Sequence, residues 1–243
     1  KEQLQKTLDQ LIALIGSVMD KGVTGIGIGV PSVVDIETGT VYDVTNIPSW
    51  KKVELKKILE AQFNVQVRIN NDVNCFILGE HRYGIARDFK SVVGLTMGTG
   101  LGGGIIINNE LYAGHNCGAG EFGLVNYLDE NIEAYCSGGF FQKKYQMAAL
   151  DAYEKAVAGD PEALASWKEF GFHMGNAIKT VVYTYDPEAV VLGGSLVKAY
   201  SFFSEAMEKS RMDFAFPESM KRLKVFTSQN KNIALLGAAS LIP

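Results

Sequence analysis

The sequence contains only three cysteines, and their placement argues against a disulfide framework. Cys75, Cys117 and Cys136 lie in separate apolar or glycine-rich segments. They form no Cys-x-x-Cys pair and follow no secretory signal pattern, so neither a zinc ribbon nor a secreted disulfide scaffold is indicated. We therefore expect buried free thiols in a protein of the reducing cytoplasm.

Long apolar runs and large basic clusters are also absent from the sequence. No segment approaches the roughly 18 consecutive apolar residues of a membrane helix. The densest basic cluster is the short group Lys221, Arg222 and Lys224, and the formal net charge is −4. This balance predicts that neither nucleic acid nor a membrane is a partner of this chain.

The sequence has enough apolar residues to form a core, and they follow alternating helix and strand patterns. Hydrophobic residues make up 47% of the 243 residues, so folding needs no disulfide or metal. In the first third, the predicted strands are 24–30, 38–44 and 65–69, and the predicted helices are 2–20, 53–63 and 73–83. This order indicates an α/β layered fold with a largely parallel sheet.

A polar stretch at 84–90 predicts the crossing between two lobes. Beyond it, the predicted strands are 91–97, 105–107, 189–192 and 225–227, and the predicted helices are 140–156, 161–185, 195–209 and 233–241. The order of elements favours a second α/β lobe.

The densest glycine cluster, Gly98–Gly104, has five glycines in seven residues. Its spacing loosely matches a dinucleotide fingerprint, but such a fingerprint needs a following helix, and 105–107 is a predicted strand. A glycine turn between antiparallel strands lets backbone N–H groups reach phosphate oxygens, and Thr99 adds a hydroxyl. The alternative is a tight hairpin without a ligand.

Two carboxylates occupy positions at which a ligand could bind. Asp72 lies where a predicted strand ends and a helix begins, which suits either an ordinary N-cap or a ligand-facing acid. Its neighbour Asn71 offers both a donor and an acceptor for a sugar hydroxyl. Glu121 lies in the glycine-rich loop Gly114–Gly123, where it is either free to point into a cleft or a solvated loop acid.

Several segments, in this order, resemble the motifs of the ROK family (repressors, open reading frames and kinases). They are Gly27–Asp35, Asn46–Trp50, Asn71–Asn74, Leu78–Glu80, Thr96–Gly104, Gly120–Gly123, Glu133–Gly138 and Leu192–Gly194. The resemblance runs from about residue 25 to residue 241. It implies an actin-like ATPase (ribonuclease H-like) α/β fold with two lobes around a cleft. The smaller lobe would be 1–82, with 233–243 returning to it, and the larger lobe would be 83–232.

The resemblance also implies an activity, which is phosphorylation of a hexose such as glucose by ATP, with Mg²⁺ arriving on the nucleotide. Asp72 would be the catalytic base. The sugar ligands implied are Asn46, Asn71, Glu121 and Glu133. The nucleotide ligands implied are Gly98, Thr99, Gly100, Gly102, Gly193 and Gly194. The alternative for Glu133 is that it is a surface acid on the loop before the helix that starts at Phe140. We also expect a homodimer or higher oligomer.

The sequence departs from the family pattern at several points. Ser32 replaces a glycine, and Leu124 replaces the histidine that normally follows the Glu121 motif. The segment before Glu133 is too short to contain the family's cysteine-rich zinc loop, so we expect no structural zinc. The Asp-x-Gly-Gly-Thr hairpin that opens family kinases is not in the sequence, which starts at Lys1. We therefore expect either a fragment or an incomplete nucleotide site.

A second function fits the same resemblance. Repressors of this family share the fold, and the chain would then be the sugar-sensing effector domain of a ROK-type repressor. A base at Asp72 beside a phosphate loop favours the kinase, whereas Ser32 and Leu124 favour the sensor.

The short loop before Glu133 leads to a prediction about metal content. Elemental analysis of the purified protein should find no stoichiometric zinc, because Cys136 alone cannot supply the four ligands of a structural site. Chelators should leave the melting temperature unchanged. One zinc per chain would show that the assignment of Glu133 is wrong.

Overall fold

A computed structural model describes residues 2–44 and 47–243 and shows a mixed α/β architecture. The first part of the chain forms α1 (Glu2–Gly16), β1 (Gly25–Val30), β2 (Val34–Asp35), β3 (Thr40–Tyr42), β4 (Lys52–Val53), α2 (Leu55–Phe63), β5 (Gln66–Asn71) and α3 (Asp72–Tyr83). The remainder forms β6 (Val92–Met97), β7 (Leu101–Ile107), β8 (Glu110–Leu111), β9 (Asn126–Tyr127), β10 (Glu130–Asn131), α4 (Ile132–Cys136), α5 (Gly138–Tyr145), α6 (Ala149–Val157), α7 (Pro161–Tyr185), β11 (Ala189–Gly193), α8 (Tyr200–Met212), α9 (Pro217–Arg222), β12 (Lys224–Thr227) and α10 (Ile233–Ala239). None of the helices described is long and apolar enough to cross a membrane.

The first group of strands forms two small sheets around one core. β1 and β5 pair in parallel with Val30 opposite Asn71, so both strands end at the same edge. β2, β3 and β4 form a separate antiparallel sheet. The amphipathic helix α1 buries Leu8, and α2 buries Leu55 and Leu59 in the same core as Trp50.

The second group is a five-stranded sheet in the order β12, β11, β6, β7, β8. The first three strands are parallel, and β7 and β8 are antiparallel additions. Side chains alternate along β6: Val93 and Leu95 belong to the core under α7 and α8, whereas Val92 packs in the cluster that contains Phe76 of α3. Both faces of this sheet are therefore covered, as parallel strands require.

Helix α3 lies against both groups of strands, and glycines make its close contacts possible. A Cβ added at Gly79 would collide with the carbonyl oxygen of Ile233 on α10, and one added at Gly237 of α10 would collide with the carbonyl of Cys75. A Cβ at Gly27 of β1 would collide with the carbonyl of Ala238. The backbones of α3, α10 and β1 thus approach more closely than any larger residue would permit.

Most of the predicted elements are confirmed, with exceptions at their ends. The predicted helix 2–20 ends at Gly16, where the Ser17 hydroxyl donates 2.7 Å to the carbonyl of Leu14 and competes with further helix. The predicted helix 140–156 is two helices, because Gln146 adopts a left-handed conformation with φ of 52°. The predicted strand 105–107 begins four residues earlier, at Leu101.

The division into lobes at residues 82 and 83 stays a prediction. Helix α3 belongs to the predicted smaller lobe, yet its buried residues Phe76 and Ile77 pack with Val92 and Val191 of the five-stranded sheet. Helix α10, which was expected to return to the smaller lobe, contacts both α3 and β1.

The crossing of α3 and α10 leads to a stability prediction. Gly79→Ala should lower the free energy of unfolding by roughly 1–3 kcal/mol, since a methyl group must separate two packed backbones. Gly118→Ala is the matched control, because nothing lies within 4 Å of a Cβ built there. Urea unfolding followed by circular dichroism measures both, and equal midpoints would contradict the close packing of the two helices.

Candidate functional site

The carboxyl ends of three parallel strands meet at one edge of the five-stranded sheet. β6 ends at Met97, β11 at Gly193 and β12 at Thr227. A cavity of about 750 Å³ opens there. Its lining residues are Asp72, Val73, Phe76, Thr96, Gly193, Gly194, Ser195, Val197, Lys198, Tyr200, Thr227, Ser228, Gln229, Asn230, Lys231, Ile233 and Ala234. This is the edge at which open α/β sheets bind ligands.

Asp72 is the first residue of α3, and the helix cap is its neighbour. The Asn71 side-chain oxygen accepts the backbone N–H of Val73 at 2.8 Å and that of Asn74 at 3.3 Å. Its Nδ2 donates to the Ser32 carbonyl at 3.4 Å. Asn71, and not Asp72, is therefore the N-cap of α3. The Asn71 side-chain oxygen is used by the helix, so mainly Nδ2 can bind a ligand.

The Asp72 carboxylate lines the cavity, and among residues 2–44 and 47–243 it accepts a hydrogen bond only from its own helix. Its Oδ1 accepts the Val73 N–H at 2.9 Å. The surrounding protein raises the pKa of Asp72 above its ordinary value, because partial burial penalises the charged form more than backbone hydrogen bonds favour it. A carboxylate with a raised pKa in a cleft is suited to accepting a proton.

The turn between β6 and β7 is shorter than expected. Met97 pairs with Leu101 in the antiparallel ladder, so only Gly98, Thr99 and Gly100 lie outside the strands. The Gly98 N–H donates 2.9 Å to the Gly100 carbonyl and closes the turn, and the Thr99 side chain is exposed. The backbone N–H groups of Thr99 and Gly100 and one hydroxyl thus remain for a phosphate.

The other three glycines of this segment lie in β7, where they make room for packing. A Cβ at Gly102 would lie 2.6 Å from Cγ2 of Val73, and one at Gly104 would lie 2.8 Å from Cγ2 of Ile77. Gly103 faces the carbonyl of Gly120. The prediction that all five glycines form a loop is wrong for Gly102, Gly103 and Gly104, because close contact of the strand with α3 and with the Gly120 backbone also requires glycine.

Gly193 and Gly194 end β11 at the cavity. A Cβ at Gly193 would lie 2.5 Å from Cζ of Phe76, and Gly194 has φ of 86° with its backbone against Met97. The turn therefore presents main chain to the cavity next to Ser195, which begins a short 3₁₀ helix.

Glu121 lies in a loop that is set by the backbone of β7. Gly120, with φ of 99°, packs against the carbonyl of Gly103, and this contact fixes the position from which Glu121 departs. The pKa of Glu121 is raised, first by partial burial and then by the negative charges of Glu133 and Asp72. The structure thus brings the three predicted carboxylates together.

Glu133 lies on the short helix α4 and reaches the turn between β6 and β7. Asn131 caps this helix by accepting the N–H of Ala134. The Glu133 Oε2 accepts the backbone N–H of Leu101 at 2.8 Å. The Glu133 side chain is half-buried, and its role as a sugar ligand stays a prediction.

A buried polar cluster links the Glu121 loop to β5 and α3. Asn70 Oδ1 accepts from Asn74 Nδ2 at 2.9 Å and from the Cys117 thiol at 3.4 Å. Cys117 has φ of 57° and is buried in the core of the first strand group. The loop therefore crosses from the second group of strands to the first. Burial, followed by the charge of Asp72 and by Cys117, raises the pKa of the nearby Cys75 to about 12.

The motifs did not identify every residue that lines the cavity, and one predicted site residue is not among the residues that the structure describes. Asn46, a predicted sugar ligand, is outside the described residues. The cavity-lining residues Ser195, Lys198 and Thr227–Lys231 belong to no motif, although the rule that ligands bind at carboxyl ends of parallel strands points to Ser195 and Thr227. Within 2–44 and 47–243, no three His, Cys, Asp or Glu residues have the arrangement of a metal site.

Known proteins resemble this chain in both sequence and fold. The xylose repressor of Bacillus spizizenii is 28% identical over 237 residues, which cover 91% of this chain and 61% of the repressor. The chain thus spans less than two thirds of that relative's length. The N-acetyl-D-glucosamine kinase of Aliivibrio fischeri is 32% identical over 223 residues, which cover 80% of this chain and 73% of the kinase.

The fold matches that of a solved kinase. A ROK family glucokinase from Streptomyces griseus, in complex with glucose and AMPPNP, superposes with a TM-score of 0.81 at 25% identity, covering 98% of this chain and 87% of the other. This agreement confirms the expected actin-like ATPase fold. The model of the ROK family matches residues 1–243. The chain therefore belongs to the ROK family.

Proposed function

We propose that this protein transfers the γ-phosphoryl group of ATP to a hydroxyl of a hexose, with Asp72 as the general base. One observation carries the proposal: Asp72 lines the cavity at Gly193 and Gly194 and also lies within electrostatic reach of Glu121. Asp72 thus faces both the nucleotide groups and the sugar groups that the family resemblance implies. The similarity to a sugar kinase and to a glucokinase with bound glucose and AMPPNP supports the same reaction.

The residues of the cavity fit a nucleotide. Its volume of about 750 Å³ and its glycine-lined wall allow backbone N–H groups to approach phosphate oxygens without a Cβ in the way. Lys198 and Lys231 also line the cavity and bring positive charge to it. Mg²⁺ bound with the nucleotide would neutralise charge that develops on the transferred group.

The carboxylates would have separate roles in sugar binding and in catalysis. Glu121, Glu133, Asn71 and Asn46 would orient the hexose, whose hydroxyls donate to the charged oxygens in strong hydrogen bonds. Asp72 would take the proton of the attacking hydroxyl as that oxygen bonds to phosphorus and the bond to the ADP oxygen breaks. Most of the rate enhancement would come from positioning and electrostatics.

A sugar-sensing repressor domain is the second candidate function. The similarity to a xylose repressor over 91% of the chain favours it. A sensor needs the sugar ligands but has no use for a proton acceptor, so the two functions differ in the role of Asp72. A cytoplasmic location, a homodimer or higher oligomer and the absence of a nucleic-acid partner stay predictions under either function.

The kinase proposal predicts a specific loss in Asp72→Asn. With Mg-ATP and either glucose or N-acetylglucosamine, kcat should fall on the order of a hundredfold or more, because asparagine cannot accept the proton. Sugar affinity should change little, since the amide keeps the shape of the side chain. Coupled measurement of ADP release gives kcat, and Asp88→Asn, an exposed aspartate outside the cavity, is the control. Equal turnover of Asp72→Asn and the parent would refute the base assignment.

The raised pKa of Asp72 predicts the pH dependence of the reaction. The base works deprotonated, so activity is present above its pKa and is lost as the pH falls through it. Because burial raises this pKa above the ordinary 3.8, the acidic limb of kcat/KM should lie above pH 3.8. A profile measured in Glu121→Gln separates the two acids, and a limb that vanishes in that variant would assign it to Glu121.

A further inference from the structure

The Glu133–Gly138 segment contacts the turn between β6 and β7 at both of its ends. Leu101, which follows the turn, donates its N–H to Glu133 Oε2 at 2.8 Å. Gly98, which begins it, accepts the N–H of Gly138 at 2.8 Å through its carbonyl. The two contacts hold opposite sides of Gly98–Gly100, the part of the chain proposed to bind phosphate.

The two partners of the turn are themselves fixed by helix caps. Asn131 caps α4, on which Glu133 lies, and Ser137 caps α5 by accepting the N–H of Gly139 at 3.2 Å. Cys136 and Phe140, on either side of Ser137, are fully buried or nearly so. The segment is thus a rigid support, and Glu133 is its one long side chain that reaches the turn.

The turn is shaped to receive the Glu133 carboxylate. A Cβ at Gly100 would lie 2.5 Å from Glu133 Oε2, so any larger residue there would displace the carboxylate. A Cβ at Gly123, beside the Glu121 loop, would lie 3.3 Å from the Cβ of Glu133. Within the part of the chain that the structure describes, Oε1 of Glu133 has no protein hydrogen bond, whereas Oε2 is used by Leu101.

We propose that Glu133 is a positioning residue for the phosphate turn as well as a sugar ligand, and that it makes sugar and nucleotide binding cooperative. The first half rests on geometry alone, and the second half rests on the proposed kinase function. A sugar hydroxyl that donates to Oε1 would hold the carboxylate in place, while Oε2 stays on the Leu101 N–H. The turn would then be ordered before the nucleotide arrives, so each ligand would tighten the other by the same factor.

Amide hydrogen exchange tests the positioning role without any ligand. In Glu133→Ala, exchange at Leu101 should be about tenfold faster than in the parent, because a hydrogen bond of about 1.4 kcal/mol is lost. In Glu133→Gln it should stay within about threefold, because the amide oxygen still accepts the N–H. Gly100→Ala should behave like Glu133→Ala by displacing the carboxylate from the other side. Parent-like exchange in both Glu133→Ala and Gly100→Ala would overturn the positioning role.

Calorimetric titration of AMPPNP with and without saturating glucose or N-acetylglucosamine tests the coupling. In the parent, sugar should tighten AMPPNP binding by about fivefold or more, the usual size of a coupling between sites. In Glu133→Ala this factor should fall to about one. In Glu121→Ala it should persist once sugar is saturating, since no hydrogen bond joins Glu121 to the turn in the described part of the chain.

The two measurements separate the failure of this inference from the failure of the kinase proposal. A parent that binds no AMPPNP would refute the kinase and the coupling, while hydrogen exchange would still decide whether Glu133 holds the turn. A parent that binds AMPPNP, with the same coupling factor in Glu133→Ala, would refute the coupling alone. Circular dichroism checks that each variant is folded, and Gly100→Ala, which displaces the same carboxylate, replaces Glu133→Ala if that variant is not folded.

Discussion

The site depends on the close approach of α3 to the backbones around it. Glycine at positions 79 and 237 lets α3 and α10 cross with their main chains in contact, and glycines in β7 let Val73 and Ile77 lie against the strand. The helix that begins at Asp72 therefore has little freedom to shift or rotate. Asp72 sits at its first turn, so its position relative to the cavity is fixed by main-chain packing and not by its own hydrogen bonds.

A second constraint is the concentration of negative charge beside the cavity. Partial burial raises the pKa of Glu121, and the negative charges of Glu133 and Asp72 raise it further. Such an arrangement destabilises the protein at neutral pH and is typical of a site selected for binding or catalysis. A polyhydroxy ligand would offset the cost, since it supplies several donors without bringing an opposite charge.

The sequence predicted the order of elements and the family well, because hydrophobic periodicity and motif spacing are local signals. The 25-residue helix α7 is an example, with Pro161 at its start and an apolar face along its length. The role of each glycine in 98–104 was harder to predict from the sequence. A glycine needed for a turn and one needed for a backbone contact look the same in sequence, and the partners of Gly102 and Gly104 are about 30 residues away.

The cap of α3 was also ambiguous in sequence. Asn71 and Asp72 are both good N-cap residues, and only the backbone shows that Asn71 takes the role and leaves Asp72 facing the cavity. The contact of Glu133 with Leu101 spans 32 residues and has no local signature. Long-range contacts of this kind decide what a motif residue does, whereas the motif indicates only that the residue is present.

The reactivity of the three buried thiols would report where the structure opens locally. Only a thiolate is alkylated readily, and burial keeps Cys75 protonated with a pKa of about 12. Cys75 lies where α3 crosses α10. Cys136 lies in the core between the second group of strands and its helices. Cys117 lies where the Glu121 loop reaches the first group of strands. Each thiol would therefore become reactive in a different event: separation of the two helices, unfolding of the helical core, or release of the loop that bridges the cleft.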